Sequence, residues 1–310
     1  MVVYLGLDAV RPSSRPAAVA VGNFDGLHLG HRKILGRLCA LARERGLRSL
    51  VLTFHPHPER ALGRKSVKMI DTLEQRLDRF RETCVDAVVV TSFDASFAGL
   101  GCRAFAREVL QERLRAREVV VGQSFRFGRN RRGDTSRLRE LGRGSGFEVH
   151  TVPPVLLDGE VISSSAARRL LDRGLVGRAA RLLGRPYEIA GRVVGGRAVG
   201  HGLGFPTANL MTANEILPTG VYISETVRKG RAWPSVTSIG TNPTFGPGPL
   251  SVETHVLDRR PSLDGALLKV RLLRRIRPTR KFPGPGPLAS RIARDIEEAR
   301  AFFEARRASG

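Results

Sequence analysis

Short apolar-rich runs recur through the first half of the chain, at residues 17–21, 50–54, 87–90, 119–121 and 147–152. The runs at 17–21, 50–54, 87–90 and 119–121 are almost wholly apolar, which is the pattern of strands covered on both faces. The run at 147–152 mixes apolar and polar residues and is expected to follow as a further strand. Between them, apolar residues fall at helical spacing: Ile34, Leu35, Leu38 and Leu41, then within 73–80 and 102–114. Strand-like and helix-like stretches in alternation predict an α/β unit built on a parallel sheet. Beyond residue 186 the texture changes. Short strand-like runs at 188–194, 220–227, 235–239, 252–257 and 267–273 are separated by glycine and proline, which predicts a small β-barrel. Pro56 and Pro58 are expected to stop regular structure after the 50–54 run. The prolines within 283–287 predict a non-helical stretch, and an amphipathic helix is expected over 288–306.

In an open parallel sheet, ligands bind at the carboxyl ends of strands, so the loops after Val21, Phe54, Val90 and Val121 carry the interest. The first is the most informative. Gly22, Asn23, Asp25 and Gly26 break the run, and helical spacing resumes from His28. A strand, a glycine-bearing turn and a helix start together make an anion pocket, because orphan N–H groups and the helix dipole converge there. His28 and His31 fall on one face of that first turn, with Gly30 leaving room for a ligand. Spacing alone leaves two readings open: a phosphate cradle with two imidazoles, or a capped helix start with two solvated histidines.

At 310 residues the chain is long enough for two domains with ordinary cores. Apolar residues make up 41%, which excludes wholesale disorder. No apolar run approaches the ~20 residues of a membrane span, and the first residues lack the layout of a secretory signal. Cys39, Cys84 and Cys102 have no metal-site spacing and cannot all pair, so they read as reduced thiols of a cytoplasmic protein. The net charge of +23 is nearly all arginine and predicts attraction to polyanions. Because the basic residues are scattered and no aromatic-basic pattern accompanies them, phosphorylated small molecules are expected rather than specific nucleic acid.

The run Gly22-Asn23-Phe24-Asp25-Gly26-Leu27-His28-Leu29-Gly30-His31 is more specific than its histidine spacing. It resembles the nucleotide-binding motif of the HxGH nucleotidyltransferases, and in particular that of the prokaryotic bifunctional riboflavin kinase/FAD synthetase family. Further stretches are similar to that family in the same order. They are Thr53-Phe54-His55-Pro56-His57-Pro58, Val121-Gly122-Gln123-Ser124-Phe125-Arg126-Phe127-Gly128, and Ile162-Ser163-Ser164-Ser165 leading to Arg168. The Gly184-Arg185-Pro186-Tyr187 link resembles the family's domain junction, placing domains at 1–184 and 185–310. Leu203-Gly204-Phe205-Pro206-Thr207-Ala208-Asn209-Leu210 resembles the riboflavin kinase core motif, and Ser251-Val252-Glu253-Thr254-His255 its catalytic segment. Similar too are Ile239-Gly240-Thr241-Asn242-Pro243-Thr244 and the stretch 292–299.

The resemblance implies a Rossmann-like N-terminal FMN adenylyltransferase domain and a C-terminal barrel of riboflavin kinase type with a terminal helix. It implies ATP and riboflavin as substrates, FMN as intermediate, FAD as product and Mg²⁺ as cofactor, with no membrane partner and the oligomeric state open. By the same resemblance His28, His31 and Glu253 are catalytic. Gly22, Asn23, Phe24, Asp25, Gly30, Ser163, Ser164, Ser165, Arg168, Gly204 and Thr207 bind nucleotide. His57, Ser124, Phe125, Arg126 and Phe127 bind flavin, and Thr207 with Asn209 holds the metal. Ser124 stands where the family carries Asn or Asp, Val199 where its glycine loop carries arginine, Asp264 where it carries tyrosine and Thr279 where it carries an acid. These departures keep two alternatives in view: FAD synthesis alone with a degenerate barrel, or nucleotidyl transfer to another phosphate acceptor. The basic charge keeps a third, a non-enzymatic RNA-binding protein.

Overall fold

In a computed structural model of the chain, residues 1–11, 15–63, 67–195, 204–241, 250–259 and 263–308 are described. The chain divides into two compact units, Met1–Ser164 and Ser165–Gly310.

The first unit is built on six strands: β1 (Val2–Leu5), β2 (Ala17–Val21), β3 (Arg48–Phe54), β4 (Ala87–Thr91), β5 (Ala116–Gly122) and β6 (Glu148–Val152). All pair in parallel, in the order β1-β4-β3-β2-β5-β6. Alternation across the pleat divides the core in two. Val19, Val21, Leu50, Leu52, Val119 and Val121 face Phe105 and Leu110. Ala18, Ala20, Val51, Val88 and Val120 face Leu35, Leu38 and Phe80. The helices on these faces are α1 (Leu29–Glu44), the short α2 (Pro58–Ala61), α3 (Leu73–Arg81), α4 (Ala95–Gly99), α5 (Cys102–Ala104) and α6 (Thr135–Ser145). From β2 the chain winds through β3 to β4, then returns to β5 on the other side of β2. The carboxyl ends of β2 and β5 therefore flank a topological switch point, where such sheets bind ligands.

Three expectations change here. The 102–114 helix widens: α5 continues as a π-helical stretch, Phe105–Arg113, with the Leu114 N–H bonded to Val109 O at 3.0 Å. Pro58 does not stop regular structure but opens α2, since the first helical position has no intrahelical use for an N–H. Cys39 and Cys84 are not reduced thiols. Cys39 on α1 and Cys84 beyond α3 form a disulfide across 45 residues of sequence, because both elements pack on the same sheet face. Cys102 is free. Helix α6 gave little apolar signal because it buries only Leu138 and Gly142.

A short hairpin, β7 (Leu156–Leu157) and β8 (Glu160–Val161), precedes α7 (Ser164–Asp172), which runs into the second unit. After α8 (Val176–Leu183) come β9 (Tyr187–Val194), β10 (Ala208–Thr212), β11 (Gly220–Arg228), β12 (Arg231–Gly240), β13 (Ser251–Val256) and β14 (Leu267–Arg277). They close an antiparallel barrel in the order β10-β13-β12-β11-β14-β9. Its interior holds a hydroxyl network in which Ser224 and Thr237 approach to 2.7 Å and Thr237 donates to Thr254 at 2.9 Å. The terminal helix, α9 (Pro285–Ala308), packs Ile296, Ala299 and Phe303 on Val221, Ile223 and Val236. It begins inside the stretch expected to be non-helical, for the reason that applies to Pro58: proline is tolerated in a first turn. No helix among the described residues is long and apolar enough to cross a membrane.

Candidate active sites

The turn after β2 is held from several directions. The Gly22 N–H donates to Leu52 O at 3.1 Å, and Phe24 and Leu27 take positive φ angles of 51° and 34°. His28 is the N-cap of α1, its Nδ1 accepting the His31 N–H at 3.3 Å. With Nδ1 as acceptor, the proton of the neutral ring sits on Nε2. The two imidazoles stack with centroids 3.6 Å apart and planes 18° from parallel, and Phe24 lies 5.1 Å from His31. His28 is buried and His31 half-buried, so the capped-helix reading is right about the cap and wrong about solvated rings. A Cβ at Gly30 would lie 3.1 Å from His28 Cε1. The room that glycine leaves is thus taken by the imidazole.

Asp25 turns inward. Its carboxylate accepts the N–H of Ile70 at 3.1 Å and of Asp71 at 3.3 Å, and its carbonyl accepts the Ser164 hydroxyl at 2.9 Å. Asp25 and Ser164, both expected at the nucleotide, therefore shape the turn through these bonds. Ser163 is half-buried beside Ser164, whereas Ser165 and Arg168 belong to the second unit on α7, exposed and half-buried respectively. Arg76 of α3 is fully buried, and desolvation pulls its pKa below the usual arginine value against the opposing pull of Asp25 and Asp71.

Between the ends of β2, β3 and β5 lies a cavity of about 310 Å³. Gly22, Asn23, His57, Ser124, Phe125, Arg126 and Phe127 line it, which gathers the whole expected flavin set. Its apolar wall also includes Phe54, Phe93, Phe97 and Phe105, which sequence reasoning missed. The spacing of Phe93 and Phe97, one helical turn apart, was the available signal. Phe54 meets Phe93 edge-on at 5.4 Å, and Phe125 stacks with Phe127 at 5.7 Å. At the mouth, Arg126 pairs with Asp134 at 3.4 Å, and Asp134's pKa is lowered chiefly by the Arg137 N–H it accepts as N-cap of α6. A Cβ at Gly128, where φ is +71°, would meet Cys102 Sγ at 2.6 Å, so the loop beneath the cavity needs glycine there.

In the barrel, Asn209 of β10 and Glu253 of β13 are direct cross-strand partners. The burial pattern of β13 sends Val252, Thr254 and Val256 inward and Ser251, Glu253 and His255 outward, so Asn209 and Glu253 share the outer face. Ser251 donates to Glu253 Oε1 at 3.0 Å, and His255 Nδ1 donates to Pro206 O at 2.8 Å. Gly204 takes a positive φ of 84°, and Thr207 is half-buried just before β10. Thr207, Asn209 and Glu253 are hard oxygen donors of the kind Mg²⁺ takes. Asp264 is exposed and Thr279 packs its methyl against Gly240. The glycine-loop positions Arg197, Val199 and His201, with Leu203, Asn242, Pro243 and Thr244, lie outside the described residues. A separate group, Glu118, Glu148 and His150, offers ligand atoms within 4.8 Å of one another. Arg45 reaches both carboxylates, at 3.2 and 3.4 Å, and offsets part of their charge.

Comparison with known proteins agrees with this division of labour. The FAD synthetase family model matches residues 10–166 and the riboflavin kinase model residues 183–303. A bifunctional riboflavin kinase/FMN adenylyltransferase of Escherichia coli (strain K12) is 37% identical over 288 residues, 92% of each chain. One of Bacillus subtilis (strain 168) is 34% identical over 302 residues, 95% of each chain. A crystal structure described as a macrolide-efflux protein from Streptococcus pneumoniae superposes with a TM-score of 0.87 at 26% identity, covering 97% of this chain and 99% of that one. The two family models and the extent of these identities show that the chain belongs to the bifunctional riboflavin kinase/FMN adenylyltransferase family.

Proposed function

We propose that adenylyl transfer takes place at the His28/His31 turn with the flavin in the aromatic cavity, and riboflavin phosphorylation on the barrel face that carries Asn209 and Glu253. The chain is a bifunctional enzyme: it phosphorylates riboflavin with ATP to give FMN, then transfers AMP from a second ATP onto FMN, giving FAD and pyrophosphate. The observation that carries the placement is that Gly22 and Asn23 belong both to the histidine turn and to the cavity wall. A flavin ring among the phenylalanines would hold its phosphate beside the turn.

In the transfer step an FMN phosphate oxygen attacks the α-phosphorus of ATP in line. The new P–O bond forms as the bond to pyrophosphate breaks, without a covalent enzyme intermediate. Charge gathering on the leaving pyrophosphate is met by His28 Nε2–H, by His31 and by the N-terminus of α1. The sequence motif alone supports phosphate-binding roles for Ser163, Ser165 and Arg168. In the kinase step the Glu253 carboxylate, oriented by Ser251, takes the proton of the riboflavin 5′-hydroxyl as it attacks the γ-phosphorus, and ADP leaves. Thr207 and Asn209 would hold Mg²⁺, whose positive charge would offset that of the ATP phosphates.

The working domains are 1–184 and 185–310. A cytoplasmic location belongs to the same reading, supported by the use of ATP in both steps; the Cys39–Cys84 bond removes the thiol argument for it. The test is to incubate the full chain with ATP, Mg²⁺ and riboflavin and separate the flavins by chromatography. Wild type should yield FMN and FAD. The His28→Ala/His31→Ala variant should stop at FMN, and undiminished FAD from it would reject the placement.

A further inference from the structure

One buried guanidinium ties together the two strand ends that make the adenylylation site. Arg76 Nη1 donates to Asn23 O at 2.8 Å and Nη2 to Phe54 O at 3.0 Å. Asn23 follows β2 and Phe54 ends β3, and both residues line the aromatic cavity. Thr53 Oγ1 adds a second donor on Asn23 O at 3.1 Å. Helix α3, which carries Arg76, is itself anchored at its start by a reciprocal cap between Thr72 and Gln75. Asp25 fastens the chain entering that helix through the N–H groups of Ile70 and Asp71. At 1% exposure Arg76 is almost wholly withheld from solvent. A buried charge is a costly way to fill space, because an apolar side chain of similar volume packs there without desolvation. What the guanidinium supplies instead is a rigid fork across two carbonyls.

We propose that Arg76 is a positioning residue for adenylyl transfer, holding the Asn23 and Phe54 carbonyls so that the histidine turn and the flavin cavity keep the spacing the in-line attack requires. It acts through its neighbours and touches neither substrate. Asn23 carries the constraint on, since its side-chain amide lies 3.0 Å from His57 on the same cavity wall. Displacing a reacting group by about 1 Å costs ~100-fold in rate. The inference rests on adenylyl transfer occurring at this turn.

The experiment uses the full chain with Arg76→Lys, Arg76→Met and Thr53→Val, and with His28→Ala/His31→Ala as reference. Riboflavin phosphorylation by the second unit reports on the quality of each preparation. Lysine keeps the charge but reaches one carbonyl, so Arg76→Lys should lose about tenfold in kcat for FAD formation, and Arg76→Met ~100-fold. The KM for ATP should move less than about threefold. A smaller folded fraction would also lower apparent kcat at constant KM, so kcat is referred to the fraction of folded chains read by thermal unfolding. Thr53→Val keeps the charge balance and should lower kcat by about threefold, which keeps the test alive if Arg76→Met fails to fold. Chains with either Arg76 substitution that fold and form FAD within about twofold of the wild-type kcat overturn the proposal. If the double histidine variant still makes FAD, the location of the site is wrong and the proposal falls with it; if that variant is dead while the Arg76 and Thr53 variants are normal, the positioning role alone is rejected.

Discussion

The side-chain amide of Asn23 lies 3.0 Å from Nε2 of His57, joining two turns separated by 34 residues of sequence. One turn follows β2 and carries the stacked histidines, and the other follows β3 and caps α2. Both residues line the aromatic cavity, at the point where the proposed nucleotide and flavin sites adjoin. His57→Ala removes the contact along with the N-cap of α2. A lost hydrogen bond of about 1 kcal/mol corresponds to roughly a five- to tenfold rise in the KM for FMN. Steady-state FAD synthesis from supplied FMN should show that rise, with kcat for riboflavin phosphorylation unchanged.

Gly30 separates packing from catalysis. Alanine there would press on the His28 ring, whose Cε1 and Nδ1 lie 3.1 and 3.2 Å from the added Cβ. Gly30→Ala is expected to keep the fold, because alanine favours the helix it sits in. FAD formation should fall by about tenfold or more as the imidazole stack shifts. Thermal unfolding measured beside the FAD assay distinguishes this from general damage.

Glu253→Gln keeps the shape of the Asn209–Glu253 pair and removes the proposed base. Riboflavin phosphorylation should drop by roughly 10²–10⁴-fold, while FAD synthesis from added FMN continues at the wild-type rate. Loss of both activities together would count against separate sites.

Tyr222 gives a pH signature within the barrel unit. Burial pushes its phenol from 10.0 up to about 12, with Arg275 opposing, and its hydroxyl donates to Thr219 O at 3.1 Å. The folded state therefore holds this proton more tightly than the unfolded chain. Its contribution to stability is complete below pH ~10 and is lost as the pH rises through about 12. Absorbance titration of tyrosinate should show a late component, absent from Tyr222→Phe.

The Cys39–Cys84 bond leaves Cys102 as the free thiol. Thiol titration in denaturant should find one reactive group before reduction and three after it. Closing a 45-residue loop also restricts the unfolded chain, so reduction should lower stability by about 2–4 kcal/mol. A count of three thiols without reductant would contradict the bond.

Much of this protein could be read along the chain because its signals are local. A strand covered on both faces must be apolar throughout, so β2 to β5 announced themselves. The turn from Gly22 to His31 announced itself because a helix start with orphan N–H groups needs particular residues in a particular order. The short barrel strands were legible as well, apart from β10, whose residues read as a motif rather than a strand. Other features depend on partners far away in sequence. Arg76 looks like any charged helical residue until α3 packs and delivers it to Asn23 and Phe54. Phe93, Phe97 and Phe105 become one aromatic wall only when the segments after β3, β4 and β5 come together. Cys39 meets Cys84 because α1 and the turn after α3 share one face of a sheet, and Asn209 meets Glu253 because a barrel closes. Local chemistry is written in neighbouring residues, whereas burial and pairing across the fold are decided by which surfaces exclude water from one another.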